Sequence, residues 1–120
     1  MRLFRIEEFI RMKNPNPGKP FKQDILTRNE EPDSLGGIFG ILEPGTQVPY
    51  HVHNKRHTVI IAISGEATAI IEGKEIPIKT HDVLHISPGE KHMTVNKTNT
   101  AFRYLGFFTF PSLGDIIEVK

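Results

Sequence analysis

The sequence contains no cysteine, which excludes disulfide bonds and any thiolate nucleophile or thiolate metal ligand. It also lacks a strong charge of either sign, because 15 lysines and arginines stand against 14 aspartates and glutamates, for a net charge of +1. Proteins that hold nucleic acid or an anionic membrane surface usually carry a marked basic patch or excess. We therefore expect neither nucleic acid nor a membrane as a partner.

Long hydrophobic runs are missing as well. The most apolar stretch, at 59–63, has five residues, whereas a membrane-spanning helix needs about 20. The first residues, MRLFRIEEFIRMKN, alternate charged and apolar side chains and lack the continuous apolar segment of a secretion signal. The simplest expectation is a cytoplasmic protein.

The 120 residues suit one domain built from short strands. A proline-rich loop, KNPNPGKPF, is preceded by IEEFIRM, which fits a short helix or an edge strand. Beyond the loop, turn signals recur about every ten residues, which is typical of an all-β sandwich or barrel. The pattern predicts about nine strands, at 21–27, 38–44, 48–53, 57–64, a hairpin within 65–82 turning at 72–74, 83–87, 92–97 and 102–110.

Three of the six histidines fall within seven positions, at His51, His53 and His57. Residues two apart in a strand point to the same face, so His51 and His53 can converge on one ion. Along a straight strand His57 would lie about 13 Å farther on. It can join the other two only if Asn54-Lys55-Arg56 turns the chain, which these residue types allow. His92 opens a later strand after a tight turn.

The histidine cluster belongs to a longer pattern. Gly45 is followed by five residues (TQVPY), by His51-Val52-His53, by NKR and His57, and later by Gly65. This stretch resembles the first signature of the cupin superfamily, which has a glycine, five residues, H-x-H, three or four residues, a glutamate, six residues and a glycine. His57 stands where the family has glutamate, and seven residues separate it from Gly65. The alternative register keeps the interval of six and places Thr58 there; we favour His57 because imidazole is the better ligand.

A second pattern follows in HDVLHISPGEKHMTVN, residues 81–96. Gly89, His92 and Asn96 stand at the offsets of the second cupin signature, which has a glycine, five residues, P-x-G, two residues, a histidine, three residues and an asparagine. His81 replaces the first glycine of that signature, which suggests a looser turn there. With both signatures in order on an all-β background, the chain resembles a small single-domain cupin.

The resemblance implies a double-stranded β-helix, or jelly roll, in a single domain. We expect this domain to cover 1–120, with N-terminal strands and loops at 1–37 and a barrel core at 38–110. The implied metal ligands are His51, His53, His57 and His92. Some small cupins with four histidines are similar, and they bind manganese. Because a jelly roll of this size exposes edge strands, which invite pairing, we also expect a homodimer.

Histidine ligands suit a divalent Mn, Fe, Co, Ni, Cu or Zn ion rather than Ca or Mg, which prefer oxygen. Neutral ligands leave the full divalent charge in place, and this favours an anionic small molecule as the ligand. Three functions stay open. The chain could be a metal-dependent enzyme, either a dioxygenase or a sugar isomerase or lyase. It could also be a non-catalytic module that binds or senses a small ligand, or a metal-free barrel with histidines in its pocket.

No catalytic residue is assigned from the sequence. Glu43 and Tyr50 lie near the first signature, but neither has a spacing that requires a role. His81 and His85 have no partner motif, and we expect them at structural or surface positions. The last predicted strand holds aromatic residues that could line a cavity, although such a strand is more often core or interface: Phe102, Tyr104, Phe107, Phe108 and Phe110.

Overall fold

A computed structural model describes residues 1–26, 35–109 and 116–118. Over these residues the chain forms one helix, α1 (Ile6–Arg11), and ten strands. The strands are β1 (Phe21–Leu26), β2 (Leu35–Leu42), β3 (His51–His53), β4 (Thr58–Ser64), β5 (Glu66–Ile71), β6 (Lys74–Lys79), β7 (Val83–Ile86), β8 (His92–Val95), β9 (Phe102–Thr109) and β10 (Ile116–Glu118). No helix in this part of the chain is both long and apolar enough to cross a membrane.

The strands form two antiparallel five-stranded sheets. The order is β1-β2-β9-β4-β7 in the first sheet and β10-β3-β8-β5-β6 in the second. Consecutive strands of the chain often lie in different sheets, as a jelly roll requires. The predicted all-β double-stranded β-helix is therefore confirmed. The division of the chain at 37 and 38 stays a prediction.

The first sheet is apolar on both faces, and it separates two hydrophobic clusters. β2 is buried along nearly its whole length, because its side chains enter the two clusters alternately. The inner cluster fills the space between the sheets, with Ile38, Leu42, Ala62, Ala67, Ala69, Ile78, Phe102, Tyr104 and Phe108. The outer cluster lies on the other face, with Phe9, Ile25, Phe39, Ile41, Ile63 and Leu105. The inner cluster forms part of the wall of the site described below.

The structure decides between the two alternatives for the N-terminal segment and confirms the turn of the predicted hairpin. The segment IEEFIR is a helix, and its Phe9 ring stacks on Phe39 with centroids 4.6 Å apart. In the hairpin, Glu72 and Gly73 have φ values of 48° and 79°, as the favoured two-residue hairpin turn requires. The end of the predicted strand at 21–27, most of the connection that follows it, and Phe110 lie outside the described residues.

Candidate metal centre

Three histidines from two neighbouring strands converge in this fold. His51 and His53 lie on β3 and point to the same side, and His92 begins β8 directly opposite His51. The potential ligand atoms of the three rings all lie within 4.8 Å of one another. The ring centroids are 4.1 Å apart for His51 and His92 and 4.9 Å apart for His51 and His53. The expected convergence of His51 with His53 and His92 is thus observed.

The turn before β8 is anchored to the strand that carries the other two histidines. The backbone N–H of Gly89 donates to the carbonyl of His53 at 2.8 Å. Gly89 has a φ of 83°, a conformation that favours glycine. The N–H of Ser87 donates to the Glu90 carboxylate at 2.7 Å, which closes the turn. This network fixes where His92 enters its strand.

Hydrogen bonds from the backbone orient two of the three rings. The Nδ1 atom of His51 lies 2.7 Å from the carbonyl oxygen of Pro49, and the Nδ1 atom of His92 lies 2.9 Å from that of Glu90. A carbonyl oxygen only accepts, so Nδ1 carries the proton in both rings. The Nε2 lone pairs of His51 and His92 are then available to an ion, which is the usual outer arrangement around histidine ligands.

Burial keeps these imidazoles neutral. Desolvation lowers the pKa of His51 from 6.5 to about 4, and nearby positive groups, including Arg56, add to this effect. Desolvation also lowers the pKa of His92, although the Glu90 carbonyl opposes it. A metal ligand must be deprotonated. The group could therefore hold a divalent transition metal at neutral pH, and its all-nitrogen donor set fits such ions.

His57 does not join this group. Thr58 begins β4 with its side chain toward the space between the sheets, so the residue before it faces the other way. His57 is exposed, and its Nδ1 atom lies 3.0 Å from Nε2 of His85. This differs from the favoured register of the first signature and agrees with the alternative, in which Thr58 occupies the glutamate position.

Two further residues of the signatures, Gly45 at the start of the first and Asn96 at the end of the second, make structural contacts. Asn96 is fully buried, and its side-chain amide donates to the carbonyls of Leu42 and Thr100, each at 2.8 Å. The N–H of Gly45 donates to the carbonyl of Asn96 at 2.8 Å. These bonds join the start of the first signature to the end of the second, and so hold β3 and β8 in place.

His81 occupies a turn in a conformation suited to glycine. Its φ is 78°, and its N–H donates to the carbonyl of Ala62 at 2.8 Å. Asp82 also closes this turn, because its carboxylate accepts the N–H of Lys79 at 2.9 Å. The turn is therefore well bonded rather than loose, and the histidine keeps the backbone shape of the glycine that it replaces. Like His85, it is exposed, as expected.

The three histidines line a cavity of about 300 Å³ between the sheets. Two cationic side chains, Lys22 and Arg56, share its wall, and no aspartate or glutamate among the described residues does. The Arg56 side chain is buried, and its guanidinium carbon lies 4.4 Å from the centre of the Phe108 ring. The remaining wall carries hydroxyl and apolar side chains, from Ile38, Val48, Thr58, Ile60, Ile86, Thr94, Phe102, Tyr104 and Phe108.

Only some of the other residues considered from the sequence line the cavity, and on β9 the alternation of side chains along the strand decides which. Of the aromatic residues on β9, Phe102, Tyr104 and Phe108 line the cavity, whereas Phe107 packs against the outer cluster. Neither Glu43 nor Tyr50 lines it, and the Glu43 carboxylate accepts a hydrogen bond from Asn14 at 2.8 Å. Arg56 and Lys22 were not singled out from the sequence, because no local pattern distinguishes them from surface cations.

Comparison with known proteins agrees with this architecture. The family model of the cupin domain matches residues 38–108. An oxalate-binding protein from Thermotoga maritima is 34% identical over 64 residues, which are 53% of this chain. The match spans about half, 53%, of the length of that curated relative.

Solved structures show the same fold. An uncharacterized conserved protein with a double-stranded β-helix domain from Klebsiella pneumoniae superposes with a TM-score of 0.79 at 23% identity, covering 100% of this chain and 98% of that one. A Thermotoga maritima protein described as a predicted oxalate decarboxylase gives a TM-score of 0.60 at 30% identity, covering 62% of this chain and 64% of that one. With the matched family domain, the jelly roll and the three-histidine group together, this chain belongs to the cupin family.

Proposed function

We propose that the chain is a metal-binding cupin of small-molecule metabolism that takes a small carboxylate anion as its ligand. In this proposal His51, His53 and His92 hold one divalent transition metal, and the ligand enters the cavity that they line. The observation that carries the proposal is the pairing of this three-histidine group with a cavity whose charged wall residues, among those described, are both cationic.

Charge explains why an anion is favoured. Three neutral imidazoles would leave the full charge of a divalent ion in place, and Lys22 and Arg56 add further positive charge. An anion entering the cavity would find charge-assisted partners there, which make stronger hydrogen bonds than neutral ones. A bound ion would supply a Lewis acid that polarises a ligand oxygen. The relative named as an oxalate-binding protein makes oxalate the natural first probe.

A lyase activity is a second candidate, and the relative described as a predicted oxalate decarboxylase favours it. Decarboxylation of oxalate consumes one proton and gives carbon dioxide and formate. Among the described wall residues no carboxylate is present to move that proton, so binding without turnover is the simpler function. The oxygenase and sugar-isomerase chemistries stay predictions.

The test begins with protein purified without an affinity tag or a chelator. We expect elemental analysis to give about one transition metal per chain, and calorimetry to detect oxalate binding to the loaded protein only. Formate release would then separate a lyase from a binding protein. A metal-free preparation that cannot be loaded, or equal oxalate affinity with and without metal, would contradict the proposal.

A further inference from the structure

Tyr104 carries a hydroxyl group for which the described part of the chain supplies no hydrogen-bond partner. The residue is 7% exposed, and its ring stacks on Phe102 with centroids 5.5 Å apart. Its hydroxyl has no hydrogen-bond partner among the described residues. The oxygen is not among the fully enclosed, unpartnered polar atoms of the described residues, so it is open to the cavity. A hydroxyl placed there takes its partner from the cavity, where water or a bound ligand can supply it.

The backbone places this hydroxyl on the cavity wall. Gly40 on β2 pairs with Tyr104 on β9 and, on its other side, with Lys22 on β1. A Cβ atom at Gly40 would lie 2.3 Å from Cζ of the tyrosine and 2.5 Å from its hydroxyl oxygen. The phenol therefore lies across Gly40, and both Lys22 and Tyr104 line the cavity. The missing side chain at position 40 makes this placement possible.

The protonation state fits a hydrogen-bond donor. Burial raises the pKa of Tyr104 to about 12, so the phenol keeps its proton at neutral pH. A neutral phenol can donate a hydrogen bond to the oxygen of an anion. It also adds no negative charge to the cavity that would repel the anion. The three histidines cannot take this part in the proposed site, because their lone pairs would face the metal.

We propose that the Tyr104 hydroxyl donates a hydrogen bond to a carboxylate oxygen of the ligand and so acts as a specificity-determining residue. This inference rests on the proposed function, because it needs a carboxylate in the cavity. It also assigns the two ends of the site different roles. The metal would attract any anion, whereas the tyrosine would distinguish ligands with an oxygen in reach of it.

The two roles can be tested separately by measuring the binding of two anions, oxalate and azide. The protein is loaded with Co²⁺, because the visible absorption of this ion changes when its ligands change. In this proposal oxalate contacts both the metal and the tyrosine, whereas azide contacts the metal alone. We expect Tyr104→Phe to weaken oxalate binding about tenfold, the usual loss for one hydrogen bond to a charged group, and to leave azide binding unchanged. Phenylalanine keeps the ring over Gly40, so unchanged circular dichroism and metal content should verify the fold. The matched control is Tyr50→Phe, which lies outside the cavity wall.

A second measurement does not require the Tyr104 variant to fold. The chain has two tyrosines and no tryptophan, so Tyr104 is the sole near-ultraviolet phenol or indole in the Tyr50→Phe protein. A phenol that donates a hydrogen bond absorbs at longer wavelength, so oxalate should shift this absorption to the red and azide should not.

The outcomes distinguish the two proposals. If the unmodified loaded protein binds neither anion, the proposed function fails, and the role of Tyr104 falls with it. If that protein binds oxalate while Tyr104→Phe binds it equally well and the absorption does not shift, the inference about Tyr104 is overturned and the proposed function stands.

Discussion

The Nδ1 atom of His57 lies 3.0 Å from the Nε2 atom of His85, and the two rings are nearly parallel, 7° apart. This contact holds the exposed His57 ring beside His85 and outside the group formed by His51, His53 and His92. We therefore expect His57→Ala and His57→Glu to keep the metal content of the unmodified protein. Elemental analysis after exhaustive dialysis would measure this directly.

The opposing variant for this experiment is His53→Ala, which removes one of the three grouped imidazoles. It should weaken metal binding by more than about 100-fold, because even loss of an outer-shell partner costs 10- to 100-fold. Its circular dichroism should match that of the unmodified protein, since the hydrophobic clusters are intact. Loss of metal from His57→Ala would return His57 to the site, and full metal in His53→Ala would refute the three-histidine assignment.

The lowered pKa of His51 predicts acid sensitivity of the metal-free protein. In the folded chain this pKa is about 4, below the ordinary 6.5, so the unfolded chain takes up the proton first as the pH falls. The stability from this residue is fully present above pH 6.5 and is lost progressively down to about pH 4. Melting temperatures of metal-free protein across this range should fall, and less steeply for His51→Gln. Equal slopes for the two proteins would contradict the shift.

Arg56 should contribute to anion binding without affecting the metal. Its guanidinium is held inside the cavity against Phe108, where it can meet a carboxylate. We expect Arg56→Gln to raise the oxalate dissociation constant about tenfold, which corresponds to about 1.4 kcal/mol. The adjacent Lys55 is exposed, so Lys55→Gln is the matched loss of one charge and should leave the affinity unchanged. If both variants weaken oxalate binding equally, the effect comes from the overall positive charge of the protein and not from a direct contact with Arg56.

His81 offers a simple way to stabilise the protein. Its φ of 78° disfavours any residue with a Cβ atom, at a cost of about 1–2 kcal/mol. His81→Gly removes this strain, partly offset by the greater freedom of glycine in the unfolded chain. The melting temperature should rise by a few degrees with unchanged metal content. His81→Ala keeps the Cβ atom and should give no rise; if both variants behave alike, the turn is not strained.

The homodimer stays a prediction, and the N-terminal segment is where we would test it. Phe4, Ile6 and Ile10 are exposed by 40%, 46% and 39%, which leaves an apolar surface around α1. Light scattering should give twice the chain mass of 13.6 kDa. Ile6→Lys combined with Ile10→Lys should shift the mass toward the monomer, and Glu8→Lys, on the same helix, should not. A monomer for the unmodified protein at micromolar concentration would refute the dimer.

The three-histidine group could be predicted from the sequence where the information was local. The two-residue period placed His51 beside His53, and the turn before His92 marked the start of a strand. The choice between His57 and Thr58 was different, because it depends on how β4 pairs with β9. Thr58 lies opposite Phe108 in that pairing. The interval of six residues to Gly65 favoured Thr58 in the sequence, whereas the better ligand chemistry of imidazole favoured His57, and only the strand pairing decides between them.

The cavity wall was harder to predict for the same reason. The alternation of side chains along β9 already separates Phe107 from Phe102, Tyr104 and Phe108. The contribution of this strand to the wall could therefore be predicted from the sequence. The presence of Lys22 in the wall depends on two successive strand pairings, through Gly40 to Tyr104. Only the assembled sheet brings such residues together.

Because Gly40 and Tyr104 are in contact, substitutions at these two positions depend on each other. A methyl group at position 40 would collide with the end of the phenol, so a side chain there requires the tyrosine to shift or to be replaced by something smaller. Replacing the tyrosine first would open space over the glycine, which a larger ligand or a new side chain could then fill. The easier order of substitution in this part of the cavity wall is therefore position 104 first and position 40 second.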